Sequence, residues 1–598
     1  MKKLEKIILL LIFALSFTAC EDILDKSPTD IISEDVVWND NRLAEAYLDQ
    51  IFARMTFLYR EVPFSDGQGT RLWFVHDQIT ISDEARHTRS WYNTHNRFGR
   101  GLLDQSGGFD EKWLYPQVRN LNELIEKMET SSLSEDEIQA LVARARWARA
   151  MCYFAMVKRY GGVPLITNVQ QIDDDYETLF VSRNKEVEIY DFIIDETDAI
   201  FPLLNDVERA GYPSKWAAMA LKSRAAMYAA SIATWGTVQI DGLVGIPSSE
   251  AQRFWQACYD ASESIINDSP HSLYNKYPDD KITNFREMFI DESSNPESIF
   301  ALQSEGENAV GFNHGWDSFT GPRAFVAWGG NAAAPYLETI EAFENIDGTP
   351  GTLDRDMYTN GLWTPEEVFG NREPRFFASV WTQGTEWQGS TIELYKSLIL
   401  PDGSTISSNS YEGVRAQGTS GSGGTQGFSG FGIKKYLDES KITPSNWSSE
   451  TDFMYFRMGE IYLNQAEAAI ELNQPDKALE LINEIRDRAG VALRTTIDRD
   501  LVRHERRVEL MFESQRYFDL KRWRIAEDAL TRPFSGLKYS LDYNSYIDGN
   551  PRFKLEVLEN LDGNNQKAFF ERHYYYPITT GRISSNPNLG PENPGYTD

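Results

Sequence analysis

From Asp452 to Gly490 the chain reads DFMYFRMGEIYLNQAEAAIELNQPDKALELINEIRDRAG, two stretches of helical period parted by Asn473 to Asp476. Apolar residues that return every three to four positions make one face of an α-helix, and that face must be buried against something. With Pro475 in the break, Asn473 to Asp476 reads as a turn, so the two helices fold back on each other. Ala466 and Ala478 lie twelve residues apart, where two antiparallel helices pack closest, and Ile482 and Ile485 then fall on the inward face. The same texture recurs in pairs earlier in the chain, in NRLAEAYLDQIFARMTFLYR, DEIQALVARARWARAMCYFAMVKRYG, EVEIYDFIIDETDAIFPLL, SKWAAMALKSRAAMYAASIATW and FWQACYDASESIIND.

The alanine spacing is similar to that of tetratricopeptide repeats. The expected fold is therefore mainly α, a tetratricopeptide-like helical repeat scaffold built from residues 20–269 and 450–598. Between them, over 270–449, the period disappears into Trp, Gly, Asn, Pro and Asp, which predicts a large irregular insertion of long loops and short strands. Its Gly- and Ser-rich part, 407–432, reads as loop, and no Gly-Lys-Ser or Gly-Lys-Thr follows to make a phosphate cradle.

At the N-terminus, Lys2, Lys3 and Lys6 precede the apolar run Ile7 to Leu15, which predicts a signal peptide over 1–19. The run is about half of the ~20 residues that a spanning helix needs. The junction Phe17-Thr18-Ala19-Cys20 resembles the lipobox of bacterial lipoproteins, which implies cleavage before Cys20 and acyl chains, palmitate among them, on that residue. Two or more chains hold a soluble domain on a membrane surface without inserting it. The formal charge of −31 becomes −33 once residues 1–19, with three Lys and one Glu, are removed. Such a field repels phosphate backbones, which argues against nucleic acid as a partner. Cys152 and Cys258 sit in helical patterns as small buried side chains, and whether they pair is left open by the sequence.

No catalytic constellation stands out. The seven histidines form no His-Glu-x-x-His, and His87 with His95 is too loose for zinc. No Gly-x-Ser-x-Gly elbow occurs. Asp347, Asp354 and Asp356 gather around glycines and could hold structural calcium, but the spacing favours a turn and no cofactor is predicted. Glu505, Glu509 and Glu513 recur every four residues, with Arg506, Arg507, Arg516 and Arg522 nearby to pair with them. As a glycosidase pair they would have to flank a sugar bond at about 5 to 9 Å. Neighbours on one helix face do not straddle a substrate, so they read as structural ion pairs.

Three strings carry a family resemblance: FRMGEIYLNQAEA (456–468), RHERRVELMFESQRYFDLKRW (503–523) and YYYPITTGRISSNPNLGPENPGY (574–596). They are similar to motifs of the SusD/RagB family of nutrient-binding surface lipoproteins. Weaker likenesses, DILDKSP, SDEA at 82–85, YGGVPLI at 160–166, EAFENIDG and NREPRF, extend the match along the chain. Two departures are Ser514, where the family commonly has glycine, and Glu592, where glutamine is usual. The resemblance implies a SusD-like fold, an outer-membrane protein lipid-anchored at Cys20 and facing outward, no enzymatic activity, a glycan ligand and a TonB-dependent, SusC-like transporter as partner.

A sugar site needs flat apolar faces for pyranose rings, with amide, carboxylate or guanidinium groups for the hydroxyls. Two stretches supply these, RLWFVHDQITISDEARHTRSWYNTHNRFGR and GFNHGWDSFTGPRAFVAWGGN, and the family's ligand residues come from these two parts of the chain. The expected ligand-binding residues are Arg71, Asp77, Trp91, Tyr92 and Asn93 from the first and Trp316, Trp328 and Asn331 from the second, with Trp381 and Trp387 in reserve. For every aromatic the competing expectation is burial in the core. A peptide-binding member of the same family, and at a greater distance a glycoside hydrolase, are the alternatives.

Overall fold

The computed structural model describes residues 34–55, 77–88, 99–107, 110–293, 295–304, 314–326, 330–407, 429–442, 444 and 449–596. Residues 1–19, where a signal peptide is predicted, Cys20 and most of the Gly/Ser-rich segment fall outside these residues. Nine long helices are labelled here: α1 (Asn41–Arg54), α2 (Tyr115–Met128), α3 (Glu135–Tyr160), α4 (Glu186–Ile200), α5 (Lys215–Trp235), α6 (Ala251–Asp268), α7 (Met458–Glu471), α8 (Pro475–Ala489) and α9 (Arg499–Glu509). Each of the first eight packs on the next, and α9 lies against α7. The contact of α6 with α7 is the informative one, because nearly two hundred residues separate them in sequence. The helical stack thus continues across the insertion. None of the described helices is long and apolar enough to cross a membrane.

Local chemistry explains where the helices begin and end. The Ser134 amide donates to the Glu137 carboxylate at 3.0 Å at the start of α3, the Ala217 amide donates to Ser214 Oγ at 3.3 Å in α5, and the Leu501 amide to Asp498 Oδ1 at 2.9 Å in α9. Pro475 occupies the first turn of α8 and Gly490, at φ 74°, ends it. Asn473 makes the turn before α8 at φ 59°, a conformation that asparagine tolerates well. Ala466, Ala478, Ile482 and Ile485 are all fully buried, as their spacing predicts. The described part is mainly helical, as expected, with a few short strands.

The strands of three residues or more are β1 (Ala85–His87), β2 (Ser298–Leu302), β3 (Ala333–Pro335), β4 (Val380–Thr382), β5 (Ser397–Ile399), β6 (Thr405–Ser407), β7 (Phe431–Ile433), β8 (Phe453–Arg457), β9 (Gly536–Asp542) and β10 (Phe553–Leu558). They stitch the middle of the chain to its ends. β2 pairs antiparallel with β8, and β5 pairs parallel with β9 in a four-stranded sheet of order β10-β9-β5-β6. β4 pairs with β7, where the Trp381 ring lies so close to Gly432 that a Cβ there would meet it at 2.0 Å.

Buried charge makes the second set of ties. Arg457 meets Glu297 at 2.7 Å, Glu509 at 2.8 Å and Glu513 at 2.7 Å. Arg375 meets Glu505 at 2.7 Å and Glu509 at 3.1 Å, Arg486 meets Glu505 at 2.7 Å, Lys435 meets Glu513 at 2.6 Å, and Arg488 pairs with both Glu297 and Glu509. Burial alone would raise the pKa of Glu509, but the guanidinium groups of Arg488, Arg457 and Arg375 outweigh it and hold the carboxyl below its ordinary value. The three glutamates are therefore structural ion pairs, but with other partners than sequence spacing suggested. Arg506 and Arg522 bind Asp519, Arg522 also binds Glu467, and Arg507 and Arg516 bind Asp83. The reason is geometric. α9 ends at Glu509, so Glu513 lies in the following turn, and all three carboxylates face inward towards other segments.

That turn contains Ser514, at φ 64° and with its hydroxyl buried and unpartnered among the described residues. An L-residue with a Cβ is strained there, so glycine, which the resemblance gives as the usual residue, would fit the backbone better. Ser514→Gly is expected to raise stability by about 1 kcal/mol, read as a higher denaturant midpoint with unchanged slope. A lower midpoint would show that the Ser514 Cβ contributes more in packing than the backbone loses in strain. Cys152 and Cys258 are both free and buried, which settles the question the sequence left open.

Candidate ligand-binding site

β1 and β3 form a short antiparallel ribbon in the register Ala85↔Pro335, Arg86↔Ala334 and His87↔Ala333. Chain direction then fixes an important relation. The residues that follow β1 and those that precede β3 leave the ribbon at one and the same end. At that end the Thr88 amide donates to the Ala332 carbonyl at 2.9 Å, and Thr88 Oγ1 donates to the Asn331 carbonyl at 2.7 Å. Trp91, Tyr92 and Asn93 come within five residues after Thr88, and Trp328 comes three before Asn331. The two stretches singled out in the sequence therefore start from a common point, although Trp91, Tyr92, Asn93, Trp328 and Arg71 themselves lie outside the described residues.

Asn331 is within the described set and unusual in two ways. Its backbone sits at φ 43°, and its side chain is buried with neither amide atom partnered among the described residues. Backbone strain and an unsatisfied buried amide each cost free energy, and ligand sites are where proteins retain such costs. The preceding Gly330, at φ 74°, is needed because a Cβ would approach the Arg323 Cα at 2.7 Å.

The segment is held from below by the helical turn Trp316–Thr320. Gly330 donates to the Ser318 carbonyl at 2.7 Å, Asn331 to Gly321 at 3.0 Å and Ala332 to Phe319 at 2.8 Å. That turn is anchored in turn to 435–451. The Trp316 indole N–H donates to the Lys435 carbonyl at 3.0 Å, and the Asp317 amide to Ser449 Oγ at 2.9 Å. Trp316 is 0% exposed, so its predicted role as a sugar platform is corrected to that of a core anchor. Trp381 and Trp387, the reserves, are likewise buried. In all three the competing expectation of burial holds.

Two ionisable groups flank this anchor. Burial pushes the Asp317 carboxyl up to about 6, against hydrogen bonds from the Asp438 amide and Ser449, and its Oδ2 is unpartnered among the described residues. Burial also pushes His314 down to about 4, which leaves the imidazole neutral at pH 7 as it meets the Thr451 carbonyl at 2.9 Å. Sequence reasoning missed Asp317, since a carboxylate beside a tryptophan in a loop carries no spacing signal. Asp77 begins the helix Asp77–Ile81, and its neighbour Gln78 is buried with both amide atoms unpartnered among the described residues. Asp347 accepts from the Thr349 amide at 3.0 Å and Asp354 caps the helix Arg355–Thr359, so both act in turns. Among the described residues no three His, Cys, Asp or Glu side chains gather as a metal site.

The fold defines a class: a helical stack interrupted by a long insertion of loops and short strands. A model of the SusD family matches residues 296–596, just over half of the chain, and a second, described as starch-binding associating with outer membrane, matches residues 66–227. The chain belongs to the SusD family. SusD-like protein P38 of Formosa agariphila is 23% identical over 592 residues, covering 93% of this chain and 100% of its own. A SusD-like protein of Bacteroides ovatus is 23% identical over 546 residues, covering 87% and 82%. Among solved structures, a SusD-like carbohydrate binding protein of Bacteroides fragilis has a TM-score of 0.70 at 23% identity, over 93% of this chain and 100% of that one. A laminarin binding SusD-like protein has a TM-score of 0.58 at 16% identity, over 93% and 100%.

Proposed function

We propose that this protein is a non-catalytic, outward-facing lipoprotein of the outer membrane, tethered at Cys20, that binds an oligosaccharide and passes it to a TonB-dependent, SusC-like transporter. The observation that carries the reading is the register of β1 with β3, which brings Thr88, three residues before Trp91 in sequence, and Asn331, three residues after Trp328, to one ribbon end. Rings from the first stretch and an unsatisfied amide from the second are the two kinds of group that a pyranose needs. Family membership supports the reading, as do solved relatives described as carbohydrate binding and laminarin binding. Glu505, Glu509 and Glu513, the carboxylates most like a glycosidase set, are buried among arginines, which favours binding over hydrolysis.

Calorimetric titration with a panel of oligosaccharides, laminarin fragments included, tests the proposal. The wild type is expected to bind at least one of them, with Trp91→Ala and Trp328→Ala each weakening binding by tenfold or more, about 1.4 kcal/mol. Failure to bind any glycan, with binding to peptide mixtures instead, would move the protein to a peptide-capturing role.

A further inference from the structure

A second cleft, of about 740 Å³, shares no residue with the ribbon site. It opens where the first turn of α2 meets the segment 164–170 and the C-terminal helix Thr580–Ser585. Trp113, Tyr115, Val118 and Leu589 give it apolar and aromatic walls, and its charged side chains are Arg119 and Arg582. No Asp or Glu lines it among the described residues, in a chain with 90 acids against 59 bases. A patch drawn at random from such a surface would carry more acids than bases. This one is reversed.

The two arginines are differently engaged. Arg582 lies 4.6 Å from the centre of the Trp113 ring and pairs with Glu111 at 3.3 Å, so most of its charge is met. Arg119 is exposed, donates to the Gln170 carbonyl at 2.6 Å and has no carboxylate partner among the described residues. Arg183, behind the cleft, donates to the carbonyls of Gly162, Tyr160 and Pro591 and to Asn593 Oδ1, and to no carboxylate among the described residues, but Glu592 and Glu186 lie near enough to act on its charge. The positive charge that the cleft itself presents is therefore chiefly that of Arg119. The distant acids do not cancel it, because at ~0.15 M salt a field decays over about 8 Å.

We infer that this cleft binds a uronate sugar of an acidic oligosaccharide, independently of the ribbon site. A uronate ring has apolar C–H faces for walls such as Trp113 and Tyr115, and one planar carboxylate that a guanidinium can grip. Phosphate fits less well. Pro116 removes a backbone N–H from the first turn of α2, where an anion of that kind would look for donors.

Trigalacturonate and galactotriose, titrated into the full-length protein, separate the possibilities. Trigalacturonate is expected to bind at least about tenfold more tightly than its neutral counterpart. Its affinity should fall by about fivefold in Arg119→Ala, and by a similar factor between about 20 and about 300 mM NaCl. Asn331→Ala should leave it unchanged, which sets this cleft apart from the ribbon site. Arg119 is exposed and its replacement is not expected to unfold the chain, which circular dichroism checks. No trigalacturonate binding, equal binding of both sugars, or a loss in Asn331→Ala with none in Arg119→Ala would each overturn the inference. So would an acidic tripeptide that binds in place of the sugar and is lost in Arg119→Ala.

Discussion

Arg457→Leu lowers the free energy of unfolding by about 3–5 kcal/mol, the usual loss when one partner of a buried ion cluster is removed. Arg457 is 1% exposed and donates to Glu297, Glu509 and Glu513, as well as to the Glu509 carbonyl at 3.0 Å. Leucine matches part of its volume but leaves three carboxylates in a buried site with fewer counter-charges. Arg488 and Lys435 remain, which is why the loss stays finite. Arg42→Ala is the control. Arg42 and Asp40 meet at 3.2 Å on the surface, where solvent screens the pair and its loss should not shift the unfolding midpoint. Urea unfolding of the two variants decides the matter, and a loss below about 1 kcal/mol in Arg457→Leu would show that the cluster is not a main tie between insertion and helices.

Trp316→Ala is expected to cost about 3–5 kcal/mol as well, by another route. It opens a large cavity in a site with no exposure and orphans the Lys435 carbonyl that the indole N–H now meets. Glycan affinity per folded molecule should stay within about twofold of wild type, whereas Trp91→Ala should lose affinity with little change in stability. Measured together, unfolding midpoint and titration give opposite signatures for the two tryptophans. Loss of binding in Trp316→Ala at unchanged stability would return that residue to the ligand surface.

Sequence periodicity made the helical part legible. Ala466, Ala478, Ile482 and Ile485 lie as their spacing predicts, because helix pairing is decided by residues close in sequence. The partners of Glu505, Glu509 and Glu513 were not legible. Arg375, Arg457 and Lys435 come from a short helix, a strand and a loop far along the chain, and no local pattern encodes such a meeting. The four-stranded sheet did leave a signal. Leu537, Tyr539 and Leu541 alternate with polar residues, as do Phe553 and Leu555, and this period of two marks β9 and β10. In the site, the two aromatic stretches could be picked from composition, but composition does not separate a buried ring from an exposed one. Trp316 and Asn331 lie in one stretch and both are buried, yet the indole N–H of the first meets the Lys435 carbonyl while the amide of the second is unpartnered among the described residues.

The packing of α6 directly on α7 bears on how such a protein diversifies. Because the scaffold closes on itself without needing the intervening chain for continuity, loops in that span can lengthen, shorten or change their side chains at little cost to the frame. On the proposed reading, what is bound can then change while the helical frame is kept, much as an antibody varies its loops on a constant sandwich. Changes at Arg375 and Lys435, which tie that span to Glu505 and Glu513, should by contrast cost the frame most.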